Sequence, residues 1–121
     1  MPIASSLLNK PRLVEKLRKF YDYVQKNNGK VGQKTRGIDL NFNNACNLRC
    51  KYCFTNSPKG DHVKEYLDIN AIRKLANEAD ELGYFEFDLQ GGELLLQPEK
   101  LFEVLEAIKP ERFYLYLTTN G

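Results

Sequence analysis

The ten residues ACNLRCKYCF, 45–54, carry every cysteine of the chain: Cys46, Cys50 and Cys53. Three soft thiolate ligands in one short loop suit a zinc ion or an iron–sulfur cluster. Structural zinc takes four ligands in a closed tetrahedron. The single histidine, His62, lies downstream and is the available fourth donor, so a Cys3His zinc module is one reading; otherwise His62 is an exposed loop residue. A four-iron cubane ordinarily takes four thiolates. Held by three, it keeps one iron open to a substrate or cofactor, by the logic that separates open catalytic zinc from closed structural zinc. A plain electron carrier is a third reading, and it would need a fourth ligand. Arg49 and Lys51 stand between the cysteines, where they either offset thiolate charge or remain solvated. Tyr52 and Phe54 flank the last cysteine; aromatic flanks would keep water from a cluster and tune its potential, although Phe54 reads equally well as core.

The bulk properties narrow the setting. The chain has 121 residues, one domain's worth, with 42% hydrophobic and 28% charged residues and a net charge of +2. That charge gives no sign of a polybasic nucleic-acid binder. No apolar run approaches the roughly 20 residues that span a membrane, and MPIASSLLNKPR lacks the pattern of a secretory signal. Three clustered cysteines make a poor disulfide framework and fit a reducing compartment. The expectation is a soluble, cytoplasmic protein with neither membrane nor nucleic acid as partner. There are no internal repeats.

Positioning the cysteine loop falls to an alternation of helices and strands. Residues 1–36 read as an opening helix and a joint: Asn9 as cap, Pro11 in the first turn, Leu13, Leu17, Phe20 and Val24 along one face, and NNGKVG as the stop. Residues 37–121 form the main unit. A strand from Gly37 to Asn43 runs into the cysteine loop, and 54–67 is a long connection with Ser57-Pro58 and Lys59-Gly60 as turns. Asp68 caps a helix with Ile69, Ile72, Leu75, Ala79 and Leu82 on one side, stopped by Gly83. Strand 84–90 (YFEFDLQ) leads to the loop GGELLLQP. A helix over 98–109 turns Leu101, Leu105 and Ile108 inward, and Lys109-Pro110 ends it. The strand RFYLYLTT leads to Asn120-Gly121.

Strands separated by helices imply right-handed crossovers and a parallel sheet. Strands covered on both faces read as nearly continuous apolar runs. Here Ile38, Leu40 and Phe42 alternate with Asp39, Asn41 and Asn43, and Phe85, Phe87 and Leu89 with Glu86, Asp88 and Gln90. Phe113, Leu115 and Leu117 likewise alternate with Tyr114, Tyr116 and Thr118. One face suits helices; the polar one suits the inner wall of a barrel that holds something. An antiparallel sheet with one wet face is the alternative.

CxxxCxxC with an aromatic before its last cysteine, directly after the first strand, resembles the radical S-adenosylmethionine (radical SAM) superfamily. GGE at Gly91, Gly92 and Glu93 after the second strand and TTNG at 118–121 after the third agree with that resemblance, which covers about 37–121. It implies an α/β fold of parallel strand–helix repeats, the first half of a partial (β/α)6 barrel, cut after the third strand of about six strand–helix units. It also implies an enzyme using a [4Fe-4S] cluster and S-adenosylmethionine. Cys46, Cys50 and Cys53 would hold the cluster, whose open iron chelates the amino and carboxylate groups of the cofactor's methionine. One electron passed to the sulfonium would release methionine and a 5′-deoxyadenosyl radical that takes hydrogen from a substrate.

By the same resemblance, Tyr52 would pack near the adenine, and Gly91, Gly92 and Glu93 would receive the methionine ammonium; Leu94 replaces the family's usual proline. Thr118, Thr119 and Asn120 would lie near cofactor or substrate. Asp39, Asn41, Glu86, Asp88 and Gln90 are candidates for the polar lumen. A one-electron donor of flavodoxin or ferredoxin type is implied as partner, and the rest of the barrel would come in cis or in trans, the chain being a truncated product or one part of a split enzyme. The substrate class expected is a peptide or protein side chain, with small-molecule or cofactor biosynthesis the alternative. These residues are assigned to cofactor, metal or lumen, and none of them as catalytic.

Overall fold

The computed structural model describes residues 9–41, 43, 46–53 and 67–121. It contains helix α1 (Pro11–Lys26), strand β1 (Gly37–Asn41), helix α2 (Ile69–Glu81), strand β2 (Glu86–Gln90), helix α3 (Pro98–Ile108) and strand β3 (Tyr114–Leu117). The strands form one sheet in the order β1-β2-β3. Both ladders are parallel, pairing Leu40 with Leu89 and Phe87 with Leu115, so the antiparallel alternative is excluded.

The strand alternation sorts the side chains as expected. Leu40, Phe87 and Leu89 turn to one face and are buried with Ile72, Ala76 and Ala79 of α2 and Leu101, Val104, Ala107 and Ile108 of α3. Phe113, just before β3, meets Phe87 edge-on, ring centroids 4.7 Å apart. Asp39, Asn41, Glu86, Asp88 and Gln90 fall on the opposite face. Leu117 belongs by register to the apolar face but is 49% exposed.

Local signals explain the boundaries. Asp68 caps α2, its carboxylate accepting from the Ala71 N–H at 3.3 Å, and Gly83 follows at φ +85, which a side chain would resist. Leu82, expected on the buried side, is the C-cap and is 67% exposed, while Ala76 takes its place inside. Helix α3 stops one residue early because Lys109 adopts the left-handed conformation ahead of Pro110. All three strands are shorter than their sequence patterns, spanning Gly37–Asn41, Glu86–Gln90 and Tyr114–Leu117. The third starts late because Arg112 ends a tight turn before it, and the expected loop after β2 contains a tight turn at Leu94–Leu96. Phe42, Phe54, the 57–60 turns and His62 lie outside the described residues.

The opening helix departs most from its pattern. Asn9 does not cap it; Lys10 holds the N-cap position without a side-chain cap bond, with Pro11 inside the first turn as expected. The Lys10 ammonium instead donates to the carbonyls of Pro110 and Phe113, both at 3.0 Å. Leu13, Val14 and Lys16 are the buried residues, whereas Leu17, Phe20 and Val24 are half-buried. The reason is where α1 lies: it crosses the end of the sheet at which the strands begin, resting on the 110–112 turn with Phe20 edge-on to Phe85. That placement leaves the opposite edge, where the strands finish, to the functional loops.

Candidate functional site

In a parallel sheet every strand delivers its following loop to the same edge. After β1 comes the cysteine loop, after β2 comes Gly91-Gly92-Glu93, and after β3 come Thr118, Thr119 and Asn120. The three loops enclose one cavity of about 300 Å³, lined by all three cysteines, Tyr52, Gly91, Gly92, Glu93, Thr118, Thr119 and Asn120, with Gln90 and Leu48. Segments spread over 75 positions of sequence, 46 to 120, thus meet in one place.

The cysteine loop turns tightly. The Cys53 N–H donates to the Cys50 carbonyl at 3.3 Å, and the Leu48 N–H approaches the Cys46 Sγ at 3.4 Å. None of the three cysteines is in a disulfide; Cys50 is exposed and the others half-buried. Tyr52 is 96% exposed at the mouth of the cavity. Among the described residues no three His, Cys, Asp or Glu side chains converge on single-ion geometry; the sulfurs are spread around a cavity instead.

A ring of hydrogen bonds joins the three loops. The Gly92 N–H donates to the Asn43 carbonyl at 3.1 Å and to its Oδ1 at 3.3 Å. Gly91 lies so close that a Cβ there would stand 2.6 Å from Asn43 Oδ1, which explains the need for glycine. Glu93 then ties the second loop to the third. Its Oε1 accepts from the Leu95 N–H at 3.0 Å and the Thr119 hydroxyl at 2.5 Å, and its Oε2 accepts from the Asn120 N–H at 2.7 Å. Asn120 closes the ring, its Nδ2 donating to Asn47 Oδ1 of the cysteine loop at 3.1 Å.

Glu93 is 3% exposed. Burial opposes its ionisation, but the Asn120 N–H, the Thr119 hydroxyl and the Leu95 N–H outweigh it and hold the carboxyl below the usual carboxylate range. Among the described residues these are its donors, and all three are neutral. An ionised carboxylate has about four acceptor positions; the described donors take two on Oε1 and one on Oε2.

The lumen candidates divide between two places. Gln90 joins the cysteine cavity, its amide donating to Asp88 Oδ2 at 2.7 Å. Asp39, Glu86 and Asp88 line a second cavity, of about 290 Å³, on the polar face with Arg36 and Tyr116. Arg36 pairs with Glu86 at 3.2 Å. Asn41 is exposed and lines neither cavity. Sequence reasoning named Asn43 only as a polar strand residue and passed over Asn47. Their one visible signal is that they bracket the first cysteine.

The donor set fits an iron–sulfur cluster with a bound cofactor: three cysteines outside any disulfide and an amide-solvated carboxylate face one cavity large enough for more than a single ion. Comparison with known proteins agrees. The chain belongs to the radical SAM superfamily, whose family model matches residues 40–121; that superfamily of enzymes uses a [4Fe-4S] cluster and S-adenosylmethionine. It is 32% identical over 93 residues to a "Probable GTP 3',8-cyclase" of Methanocaldococcus jannaschii, covering 76% of this chain and 30% of the relative. It is 31% identical over 113 residues to the 5-amino-6-(D-ribitylamino)uracil–L-tyrosine 4-hydroxyphenyl transferase of the same organism, covering 88% and 32%. With an S-adenosylmethionine-dependent nucleotide dehydratase of a Fibrobacter species it shares 29% over 96 residues, covering 73% and 28%. The chain therefore spans about a quarter to a third of the length of the curated relatives it matches. No helix among the described residues is long and apolar enough to cross a membrane.

Proposed function

We propose that this chain is the cluster- and cofactor-binding part of a radical SAM enzyme, with Cys46, Cys50 and Cys53 as the cluster ligands. When bound, the cluster supplies the electron that reductively cleaves S-adenosylmethionine to a 5′-deoxyadenosyl radical. The observation that carries this reading is Glu93, a buried anion whose donors among the described residues are all neutral, beside three cysteines in one cavity. Amides and hydroxyls stabilise the carboxylate without cancelling its charge, so a cationic ligand gains from approaching it. Oε2, which accepts one donor among the described residues, suits the ammonium of the cofactor's methionine. Gly91 and Gly92 let backbone approach that group, Thr118 and Asn120 border it, and Tyr52, open to solvent at the mouth, is free to cover an adenine.

The chain's own residues otherwise position and exclude water. Leu94, 1% exposed, roots the second loop in the core. Asp39, Glu86 and Asp88 give the lumen an acidic wall, favouring a substrate portion rich in hydrogen-bond donors. A peptide or protein side chain meets that description. A small-molecule substrate is the second reading, favoured by the names of the relatives that act on GTP or nucleotides. The rest of the barrel, in cis or in trans, would complete the substrate contacts. A flavodoxin- or ferredoxin-type donor would deliver the electron, in the cytoplasm where thiols stay reduced.

Anaerobic reconstitution of the full-length protein tests this. The expected product is brown, and its spectrum changes when S-adenosylmethionine is added. Cys50→Ala should lose the bound iron and His62→Ala should keep it. Zinc retained by the Cys50 variant and lost from the His62 variant would establish the Cys3His module instead.

A further inference from the structure

The ring of hydrogen bonds contains a residue that no ligand-binding role accounts for. Asn47 follows the first cysteine and is exposed, yet its Oδ1 receives the Asn120 amide across 73 residues of sequence. Asn120 is gripped a second time, through its backbone N–H, by Glu93 Oε2 at 2.7 Å. Asn47 and Glu93 do not hydrogen-bond each other; both act on Asn120. The Thr119 hydroxyl is locked in the same way, donating to Glu93 Oε1 while accepting from the Gly121 N–H at 3.1 Å.

We propose that Asn47 and Glu93 are paired positioning residues that, through Asn120, fix the third loop against the cysteine loop before any cofactor arrives. The proposal deepens the functional reading above and rests on it for its consequence on binding, though not for the linkage itself. Loops left unlinked to each other would lose conformational freedom when a ligand ordered them. A pre-closed ring removes that loss from the binding step and so raises affinity without adding a contact. The acceptor oxygen of Asn47 is the functional atom, and any residue that keeps it should serve.

The test is a double-mutant cycle on the full-length protein with two readouts. The first is the Asn120 backbone amide, followed by nuclear magnetic resonance and hydrogen exchange in the cluster-free protein. Asn47→Ala and Glu93→Gln should each shift that amide and speed its exchange, whereas Asn47→Asp, which retains an acceptor, should leave it near its wild-type position. The second is S-adenosylmethionine affinity after anaerobic reconstitution. Each of Asn47→Ala and Glu93→Gln should weaken binding, Asn47→Ala by roughly three- to tenfold, the range one exposed neutral hydrogen bond supports. The double variant should lose less than the product of the two separate losses, because either change already frees Asn120. An Asn120 amide indifferent to Asn47→Ala, or losses that multiply, would overturn the proposal. Should Glu93→Gln not fold, the Asn120 amide and the affinity in Asn47→Ala against Asn47→Asp decide alone. A wild-type protein that fails to bind S-adenosylmethionine sinks the functional reading alone, since the amide readout still decides whether Asn47 and Glu93 are linked.

Discussion

Asp80 and Glu93 are carboxylates withdrawn from water at opposite ends of one sheet, and their partners differ in kind. Asp80 lies in the last turn of α2, on the side where the strands begin. Its oxygens meet Lys16 at 2.8 Å, Arg12 at 3.1 Å and Arg112 at 3.8 Å. Glu93, where the strands finish, meets two backbone N–H groups and a hydroxyl. Burial raises the cost of ionising both, and in both the partners prevail and keep the carboxyl below its usual range. The first site cancels its charge and latches α1 to the domain. The second keeps its charge while being fully supported, which is what a binding site for a cation requires. Withdrawal from water thus yields a fastening at one end and a poised anion at the other.

The comparison breaks most visibly at Asp80. Lys16 is 2% exposed, and burial pushes its ammonium below the usual lysine value more than Asp80 lifts it, with Arg12 and Arg112 adding repulsion. Its ammonium also sits 3.9 Å over the Phe113 ring. Asp80→Ala strands this cation among two others, and loss of one partner from a buried pair costs about 3–5 kcal/mol. Chemical denaturation should record a loss of that size. Under conditions where the variant remains folded, its cofactor affinity should equal that of wild type, because the cavity is at the far edge. A matching loss of affinity would mean that the two ends are coupled.

Glu93→Gln should invert the balance. The amide keeps the shape but offers fewer acceptor positions to three donors, one of which is left unpaired at about 1–3 kcal/mol. Stability should fall by that smaller amount while affinity for a cationic ligand drops at least tenfold, since the negative charge is gone. Affinity unchanged in Glu93→Gln would assign the carboxylate a purely structural task.

How far these ends could be read from sequence differs too. The functional edge was legible because its chemistry is local: three cysteines in one loop, a Gly-Gly-Glu and a Thr-Thr-Asn each occupy consecutive positions, and the parallel order of strands dictates that their loops meet. The partition of each strand into apolar and polar faces followed from its period of two. The base was not legible. Leu13, Leu17, Phe20 and Val24 mark an apolar stripe, but the deepest contact of α1 includes Lys16, whose burial depends on an aspartate in a helix far along the chain. Lys10 in place of Asn9 at the helix start has the same origin, a long-range partner in the carbonyls before β3. Asn47 escaped notice likewise, since its partner is 73 residues away. Periodicity and motif spacing report on neighbours in sequence; ion pairs and amide bridges between distant loops leave no such trace.

Acid titration sharpens the contrast with the smallest effect. Because both carboxyls have folded values below their ordinary ones, the unfolded chain binds more protons in the window between. Each therefore contributes stability that is complete above the unfolded value, about 3.9 for Asp and 4.3 for Glu, and is lost as pH falls toward the folded value. Replacing either by its amide should flatten the acid limb of a stability-versus-pH curve. Salt then separates the two. At about 1 M the Debye length is about 3 Å, so the attraction of half-exposed Arg12 for Asp80 is screened, whereas hydrogen bonds from amides and a hydroxyl to Glu93 are not. The difference in acid slope between wild type and Asp80→Asn should shrink in high salt, and that between wild type and Glu93→Gln should persist. Equal salt dependence at the two positions would mean that Glu93 is balanced by a cation after all, and the free charge assigned to the cavity would be lost.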